Sequence, residues 1–249
     1  MKVAITGSRG LIGSHIKNRL KNDGHYITEW DLKASPMSHD ISEFEYNGDD
    51  YVIHLAAYAD VRASIKNPQL YWKNNVVNTT RIQKICHENN VPLFYASSSC
   101  IHNWWLSPYG TSKKANEETA FSNQVGLRFT TVYGEGARES MLIGKLIKGD
   151  VPYLTSHVRD FIHVSDVVEA IVLMMSKDIS ILDSVYDVGT GNGVIVHELG
   201  KIVGLDVPIR EGYECEAQDN TADITPLKKL GWNPKIDVKK YLQDHKKVV

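Results

Sequence analysis

Three glycines fix most of what this chain can become. Gly7, Gly10 and Gly13 stand in TGSRGLIG, directly after the apolar run Lys2–Thr6 and directly before Leu11–Asn22, where apolar residues recur at helical spacing. A strand that turns on glycines into a helix opens a doubly wound, mostly parallel α/β sheet, and its physical use is to hold a dinucleotide. The first glycine permits the tight turn, the second brings backbone against a pyrophosphate, and the third lets helix and strand pack closely. Unpaired N–H groups at the helix start, with the backbone of Arg9, Leu11 and Ile12, then face the anion. Asp31 closes the next expected strand, Tyr26–Asp31, where a carboxylate accepts from the adenosine ribose hydroxyls. It would repel a 2′-phosphate, so the expected cofactor is NAD, with Arg9 the nearby charge that favours NADP. Asp40 and Ile41, on the loop before the third strand, are candidates for the adenine edge.

The alternation continues. Strands are expected at Tyr51–Leu55, Leu93–Ser97 and Val125–Val132, and helices at Gln69–Asn89 and Ser112–Phe121. This predicts an α/β fold of the Rossmann type, a doubly wound parallel sheet, with residues 1–133 as the NAD-binding domain. Beyond Gly134 the pattern loosens into Met141–Lys148, Val164–Met175, Ser184–Val188 and His197–Val203. Residues 134–249 are therefore read mainly as a small C-terminal substrate lobe, with segments near 160–190 returning to the first domain. A chain of 249 residues, 42% of them hydrophobic, suffices for that arrangement. A net charge of -2, from 28 basic and 30 acidic residues, offers no field for nucleic acid or an anionic membrane. No apolar run is long enough to span a bilayer. Cys86, Cys100 and Cys215 lack paired spacing, so neither a disulfide framework nor a metal site is expected. With no leader before MKVAITG, the expectation is a cytoplasmic protein acting on a small molecule.

Tyr109 and Lys113 lie one helical turn apart in SPYGTSK, on one face of a helix beginning there. A phenol with a pKa of roughly 10 is a weak base at neutral pH, and an ammonium held beside it favours the phenolate. The phenolate takes a substrate hydroxyl proton as hydride leaves for a nicotinamide. Ser98 or Ser99, at the end of the fourth strand, hydrogen-bonds the forming carbonyl. Lys113 would also anchor the nicotinamide ribose. The neighbouring Cys100 thiol is a candidate additional acid, although a buried structural cysteine is the commoner outcome.

With the glycine turn, HLAA at 54–57, ASSSC at 96–100, SPYGTSK at 107–113, RDFIHVSD at 159–166 and ADITPLKKLGWNP at 222–234, the chain resembles extended short-chain dehydrogenases. Among these it resembles the NAD-dependent epimerase/dehydratase family and its UDP-galactose 4-epimerases. The resemblance implies Ser99 as the catalytic serine, Tyr109 as base and Lys113 as its partner. It further implies cofactor contacts from Leu55, Ala56, Ala57, Asn75, Ser97 and Ser98, and substrate contacts from Ser99, Cys100, Thr131 and Arg159. Arg159 would offer its fork of donors to a nucleotide diphosphate. Thr131 stands where the family commonly carries a phosphate-binding asparagine, and the segment from Cys100 to Pro108 is shorter than usual, so the pocket is expected to be rebuilt or more open. SSSCIH lacks the adjacent Asp–Glu pair of sugar-nucleotide 4,6-dehydratases, which argues against dehydration. GDP-fucose synthases use a histidine near the position of Met141, which ranks that activity lower still.

The implied activity is 4-epimerisation of a nucleotide-bound hexose, UDP-linked, through a transient 4-keto sugar oxidised and reduced by the same NAD. The rival is a net dehydrogenase, similar to L-threonine 3-dehydrogenases, or a keto-sugar reductase; the shortened substrate lobe favours a smaller substrate. A nucleotide-sensing module without chemistry is a third class, against which the intact serine, tyrosine and lysine argue. The resemblance also implies a homodimer, with Gln69–Asn89 and Ser112–Phe121 packing across a two-fold axis.

Overall fold

The structure is a computed structural model that describes residues 1–33 and 39–246. In chain order its strands are β1 (Lys2–Thr6), β2 (Tyr26–Trp30), β3 (Tyr51–His54), β4 (Leu93–Ser98), β5 (Gln124–Phe129), β6 (Thr131–Tyr133), β7 (Leu154–Thr155), β8 (Val158–His163), β9 (Val185–Val188), β10 (Gly193–Ile195) and β11 (Ile209–Arg210). Six of them form one sheet in the order β2-β1-β3-β4-β5-β9, every pair parallel. From β1 the chain first adds β2 on one side and then β3 on the other. A crevice therefore opens beyond the carboxyl ends of β1 and β3, where such sheets hold their ligands.

Both faces of this sheet are covered, which explains why its strands are apolar runs rather than alternating ones. On one face, Val3, Ile5, Ile53, Phe94 and Leu127 are buried in a cluster with Ile16 and Leu20 of α1 (Leu11–Asn22) and Val167, Ala170, Ile171 and Met174 of the helix Val164–Met175. On the other, Ala4, Val52, Leu93 and Tyr95 pack with Phe44, Ile82 and Cys86. A third cluster, including Tyr133, Leu146, Leu154, Phe161, Leu199 and Leu242, fills the carboxyl-terminal region around the small sheets β10-β8-β6 and β11-β7. No helix among the described residues is long and apolar enough to cross a membrane.

Three expected elements are divided or shifted. The run 125–132 is not one strand: β5 ends at Phe129, and β6 leaves the main sheet to pair with β8. The expected helix 69–89 is a succession, α3 (Pro68–Tyr71), a π-helical stretch Trp72–Val77 and α4 (Asn78–Glu88), preceded by a short helix α2 (Val61–Lys66). The wider turn rotates Asn75 inward, which a straight 3.6-residue period would not specify. Helix α5 (Pro108–Glu118) starts earlier than Ser112, because Ser107 caps it by accepting from Gly110 N at 3.0 Å and Pro108 suits the first helical position. Tyr109 and Lys113 thus share this helix from its first turn.

Two sequence motifs meet in space. Asp166, on the helix Val164–Met175, accepts from the backbone of Lys235 and Ile236, each at 3.0 Å, and its carbonyl accepts from Trp232 Nε1 at 3.2 Å. Asp160, fully buried, accepts from Thr190 N, Thr190 Oγ1, Gly191 N and Ala222 N at 2.6–3.2 Å. These carboxylates tie RDFIHVSD to the closing ADITPLKKLGWNP and fix the geometry of the lobe around Arg159.

Candidate active site

The glycine turn is built by contact. Gly7 has φ +69°, and a Cβ there would stand 2.8 Å from Ala56 N; one at Gly13 would stand 2.0 Å from Gly7 O. Neither position leaves room for a methyl group. Arg9 N donates to Asp31 Oδ2 at 2.9 Å and Lys33 N to Asp31 Oδ1 at 2.8 Å, so the carboxylate is pinned across the mouth of the crevice. Thr6 Oγ1 accepts from Leu55 N and Ala56 N at 3.1 and 3.2 Å and meets His54 Nδ1 at 2.6 Å, while His54 Nε2 meets Thr79 Oγ1 at 2.8 Å. Burial and the Lys113 charge hold His54 down to about 3, so this ring is a neutral strut that registers β3 against β1.

A cleft of about 280 Å³ results, lined by Gly7, Arg9, Gly10, Asp31, Asp40, Ile41, Leu55, Ala56 and Ala57 among the expected cofactor residues. Trp30, Tyr58 and Asn74 also line it, and no local sequence signal marks them. Leu11 and Ile12 pack on the core beneath the turn. Asn75 holds the cleft wall from behind: its amide accepts from Tyr58 N at 2.9 Å and donates to Tyr58 O at 2.8 Å. The Asp40 carboxylate caps the short helix Ile41–Glu43 by accepting from Ser42 N, which holds its pKa below the usual carboxylate range. Glycines without space for Cβ, a pinned Asp31 and an apolar far wall fit an adenine dinucleotide. Among the described residues, no cluster of His, Cys, Asp and Glu is placed to hold a metal ion.

Beside this cleft, at the carboxyl end of β4, lies a buried polar corner. The Ser98 hydroxyl lies near enough to the Tyr109 phenol to favour its ionised form, and Ser98 Oγ accepts from Cys100 N at 3.2 Å. Ser99 Oγ instead accepts from Asn220 Nδ2 at 3.3 Å, and Ser97 Oγ donates to Glu117 Oε1 at 2.6 Å. The three serines thus face three different surroundings. Lys113 Nζ donates to Ala96 O at 2.8 Å and lies 5.8 Å from the Tyr109 ring centre. Burial pushes the Tyr109 phenol up, with Cys100 adding to the rise and the neighbouring Ser98 hydroxyl opposing it; burial brings Lys113 down to about 8. The Cys100 thiol is pushed up by its own burial, as expected of a protonated cysteine away from solvent. Tyr109 N donates to Ser64 Oγ at 3.2 Å, which secures the start of α5 against α2.

Thr131 and Arg159 face the corner from the lobe. Asn220 Nδ2 reaches Thr131 Oγ1 at 3.4 Å as well as Ser99, while Asn220 Oδ1 accepts from Asp160 N at 2.8 Å. Asn220 therefore supplies an amide beside the position where the sequence has Thr131. Nothing local announces this, because Asp219, Asn220 and Thr221 read as a surface turn. Arg159 Nη1 donates to Val158 O at 2.8 Å, and Nη2 lies 3.5 Å from Glu216 Oε2.

Residues 3–189 match the model of the NAD dependent epimerase/dehydratase family. The chain belongs to that family. It is 32% identical to Protein CapI of Staphylococcus aureus, over 72% of this chain and 71% of the relative, and 26% identical to the UDP-glucose 4-epimerase of Pisum sativum, over 98% and 94%. Among solved structures, MoeE5 in complex with UDP-glucuronic acid and NAD superposes with a TM-score of 0.86 at 27% identity, covering 99% of this chain and 97% of that one. The protein is thus an NAD-dependent enzyme of the nucleotide-sugar epimerase/dehydratase kind, and NAD is its cofactor. The matched region carries both the cleft behind the glycine turn and the helix of Tyr109 and Lys113. Most of the lobe contributed by residues after 189 lies outside it.

Proposed function

We propose that this family member epimerises carbon 4 of a UDP-linked hexose or hexuronic acid, with Tyr109 as the acid–base. The observation that carries the reading is the convergence of the Tyr109 phenol, the Ser98 hydroxyl and the Lys113 ammonium in one buried corner beside the dinucleotide cleft. Gly7, Gly10 and the turn amides hold the pyrophosphate of NAD, and Asp31 holds its adenosine ribose. When bound, NAD takes up hydride from the sugar carbon and gives it back to the opposite face of the same carbon. Tyr109 removes the hydroxyl proton during oxidation and returns it during reduction, so no proton is consumed over the cycle. Lys113, buried and cationic at neutral pH, favours the phenolate. Ser98 donates to the oxygen that becomes the carbonyl; Ser99, assigned this part by resemblance, faces Asn220 and Thr131 and is proposed to contact the sugar substituents. Arg159 serves the diphosphate, and Cys100 lines the sugar side.

Residues 1–133, with segments near 160–190, form the NAD half in this reading, and 134–249 mainly the substrate lobe. The exposed Leu70 of α3, with Trp72 and Val77 on the π-helical stretch after it, supports a homodimer about a two-fold axis, which sedimentation would test. The deciding assay incubates protein and NAD with UDP-galactose and, separately, UDP-glucuronic acid. Chromatography follows the epimer and absorbance follows NADH, with Tyr109→Phe as control. Conversion without NADH accumulation supports epimerisation. Stoichiometric NADH overturns it in favour of a net dehydrogenase.

A further inference from the structure

The glycine turn carries a conflict of charge. Asp31 at the mouth of the cleft repels a 2′-phosphate, whereas Arg9, which lines the same cleft, bears a guanidinium of the kind that accommodates one. The Arg9 backbone stays at the mouth, its N donating to Asp31 Oδ2 at 2.9 Å, but its side chain turns elsewhere: Nε lies 3.6 Å from Glu29 Oε2. Side chains alternate along β2, so that Ile27 packs with the cluster that holds α1 and Trp30 with the opposite cluster. Glu29 shares the side of Ile27. Among the described residues Trp30 and Asp31 line the cleft and Glu29 does not.

On the α1 side Glu29 gathers cations. Lys17 Nζ lies 3.0 Å from Oε2 and Lys21 Nζ 3.5 Å from Oε1, both from α1, and Ser8 Oγ donates to Oε2 at 3.0 Å. Burial raises the Glu29 carboxyl, but Lys17, Ser8 and Lys21 more than offset the rise and hold it below the usual carboxylate range. No other carboxylate among the described residues ion-pairs with Arg9, Lys17 or Lys21. Three cations on one anion form an unbalanced set. Without the anion, Lys17 and Lys21 repel the guanidinium, and Arg9 is the one of the three that lines the cleft.

We propose that Glu29 sets the cofactor preference of this protein by holding the Arg9 guanidinium on the α1 side of β2, away from the 2′ position of the adenosine ribose. Two carboxylates then divide the task. Asp31 meets the ribose and repels a phosphate there, and Glu29 withholds the cation that would compensate. The preference concerns the adenosine end of the cofactor alone, so it holds whichever sugar the lobe accepts.

The test is calorimetric titration of NAD and of NADP into nucleotide-free protein, for wild type, Glu29→Gln, Arg9→Gln and the double variant, each checked by a thermal melt. Glutamine keeps the side-chain length and an acceptor for Ser8. Glu29→Gln should raise the affinity for NADP relative to NAD about tenfold, the scale of one charge-assisted hydrogen bond to phosphate. Arg9→Gln, which keeps the backbone donors, should leave that ratio within about threefold of wild type, and the double variant should show no gain. An unmoved ratio in Glu29→Gln overturns the proposal, as does a wild type that binds NADP as tightly as NAD. A gain that survives in the double variant also overturns it, because the gain then comes from the lost negative charge and not from Arg9. Should Glu29→Gln fail to fold, Arg9→Gln decides alone: a fall of about tenfold in NADP affinity with NAD affinity unchanged would show the guanidinium already serving the 2′-phosphate and overturn the proposal.

Discussion

Replacing Gly13 by alanine should damage the folded protein, whereas replacing Gly10 should mainly damage cofactor binding. A Cβ at Gly13 would lie 2.0 Å from Gly7 O, 2.8 Å from Gly7 C and 3.0 Å from Ser8 Cα, all backbone atoms. Relief needs a shift of about 1 Å in a carbonyl that is already part of a tight turn, so the cost sits at the upper end of overpacking, about 3 kcal/mol. For a chain of this size that lowers the melting temperature by about 6–12 °C. At Gly10 the nearest contact would be Gly7 O at 3.2 Å, which a few tenths of an ångström relieve. Gly10 also caps α1, where alanine is poorer than glycine, so the expected loss is about 1 kcal/mol or less, within about 4 °C. The methyl group at position 10 nevertheless intrudes on the cleft that the turn is proposed to offer the pyrophosphate. Thermal melts with and without NAD separate the two effects. Gly10→Ala should melt near wild type but lose most of the NAD-induced rise, and Gly13→Ala should melt low even before NAD is added. A Gly13→Ala protein melting within about 2 °C of wild type would refute the steric argument.

Tyr109→Phe should lower kcat by about 10²–10⁴ while keeping the NAD-induced thermal shift, as loss of an acid–base requires; retained turnover would remove Tyr109 from that role. Ser98→Ala should cost about 10² in kcat, and Ser99→Ala should act chiefly on KM; the reverse ranking would return the polarising role to Ser99. Lys113 is held down to about 8 by burial, so between that pH and the ordinary lysine value the unfolded chain carries a proton the folded one lacks. Stability therefore rises with pH through this window. Relative to Lys113→Met, wild type should gain about 2 kcal/mol between about pH 8 and 9.5, read from urea midpoints, and a flat difference would show that the ammonium is not desolvated.

What the sequence reveals follows from the range of the forces involved. β1, α1 and the helix Val164–Met175 are announced by their own residues, since a glycine turn, a buried run and a helical stripe are local facts. The break after Phe129 is invisible in VGLRFTTVY, because an unbroken apolar run says nothing about which partner each half will pair with; β9 claims the first half and β8 the second. The tyrosine–lysine spacing needs only one helix to be read. Choosing among Ser97, Ser98 and Ser99 needs the alternation of the last strand residues and the turn after them, which no local pattern in ASSSC supplies. Asn220 reaches Ser99 across 121 residues of chain, so its part emerges only when the lobe is folded against the sheet.

The place of β9 at the outer edge of the main sheet bears on how the protein is made. β5 finds its second neighbour only in residues 185–188, long after the glycine turn, Tyr109 and Lys113 have been synthesised. Until then a nascent chain carries Tyr109 and Lys113 yet presents β5 as a bare, apolar strand with a free row of N–H and C=O groups. Such an edge invites pairing with another chain. A stop codon near position 180 should therefore yield aggregate rather than a small cofactor-binding fragment, and ribosomal delivery of the Val185–Val188 segment marks the moment at which the cofactor half becomes safe from its neighbours.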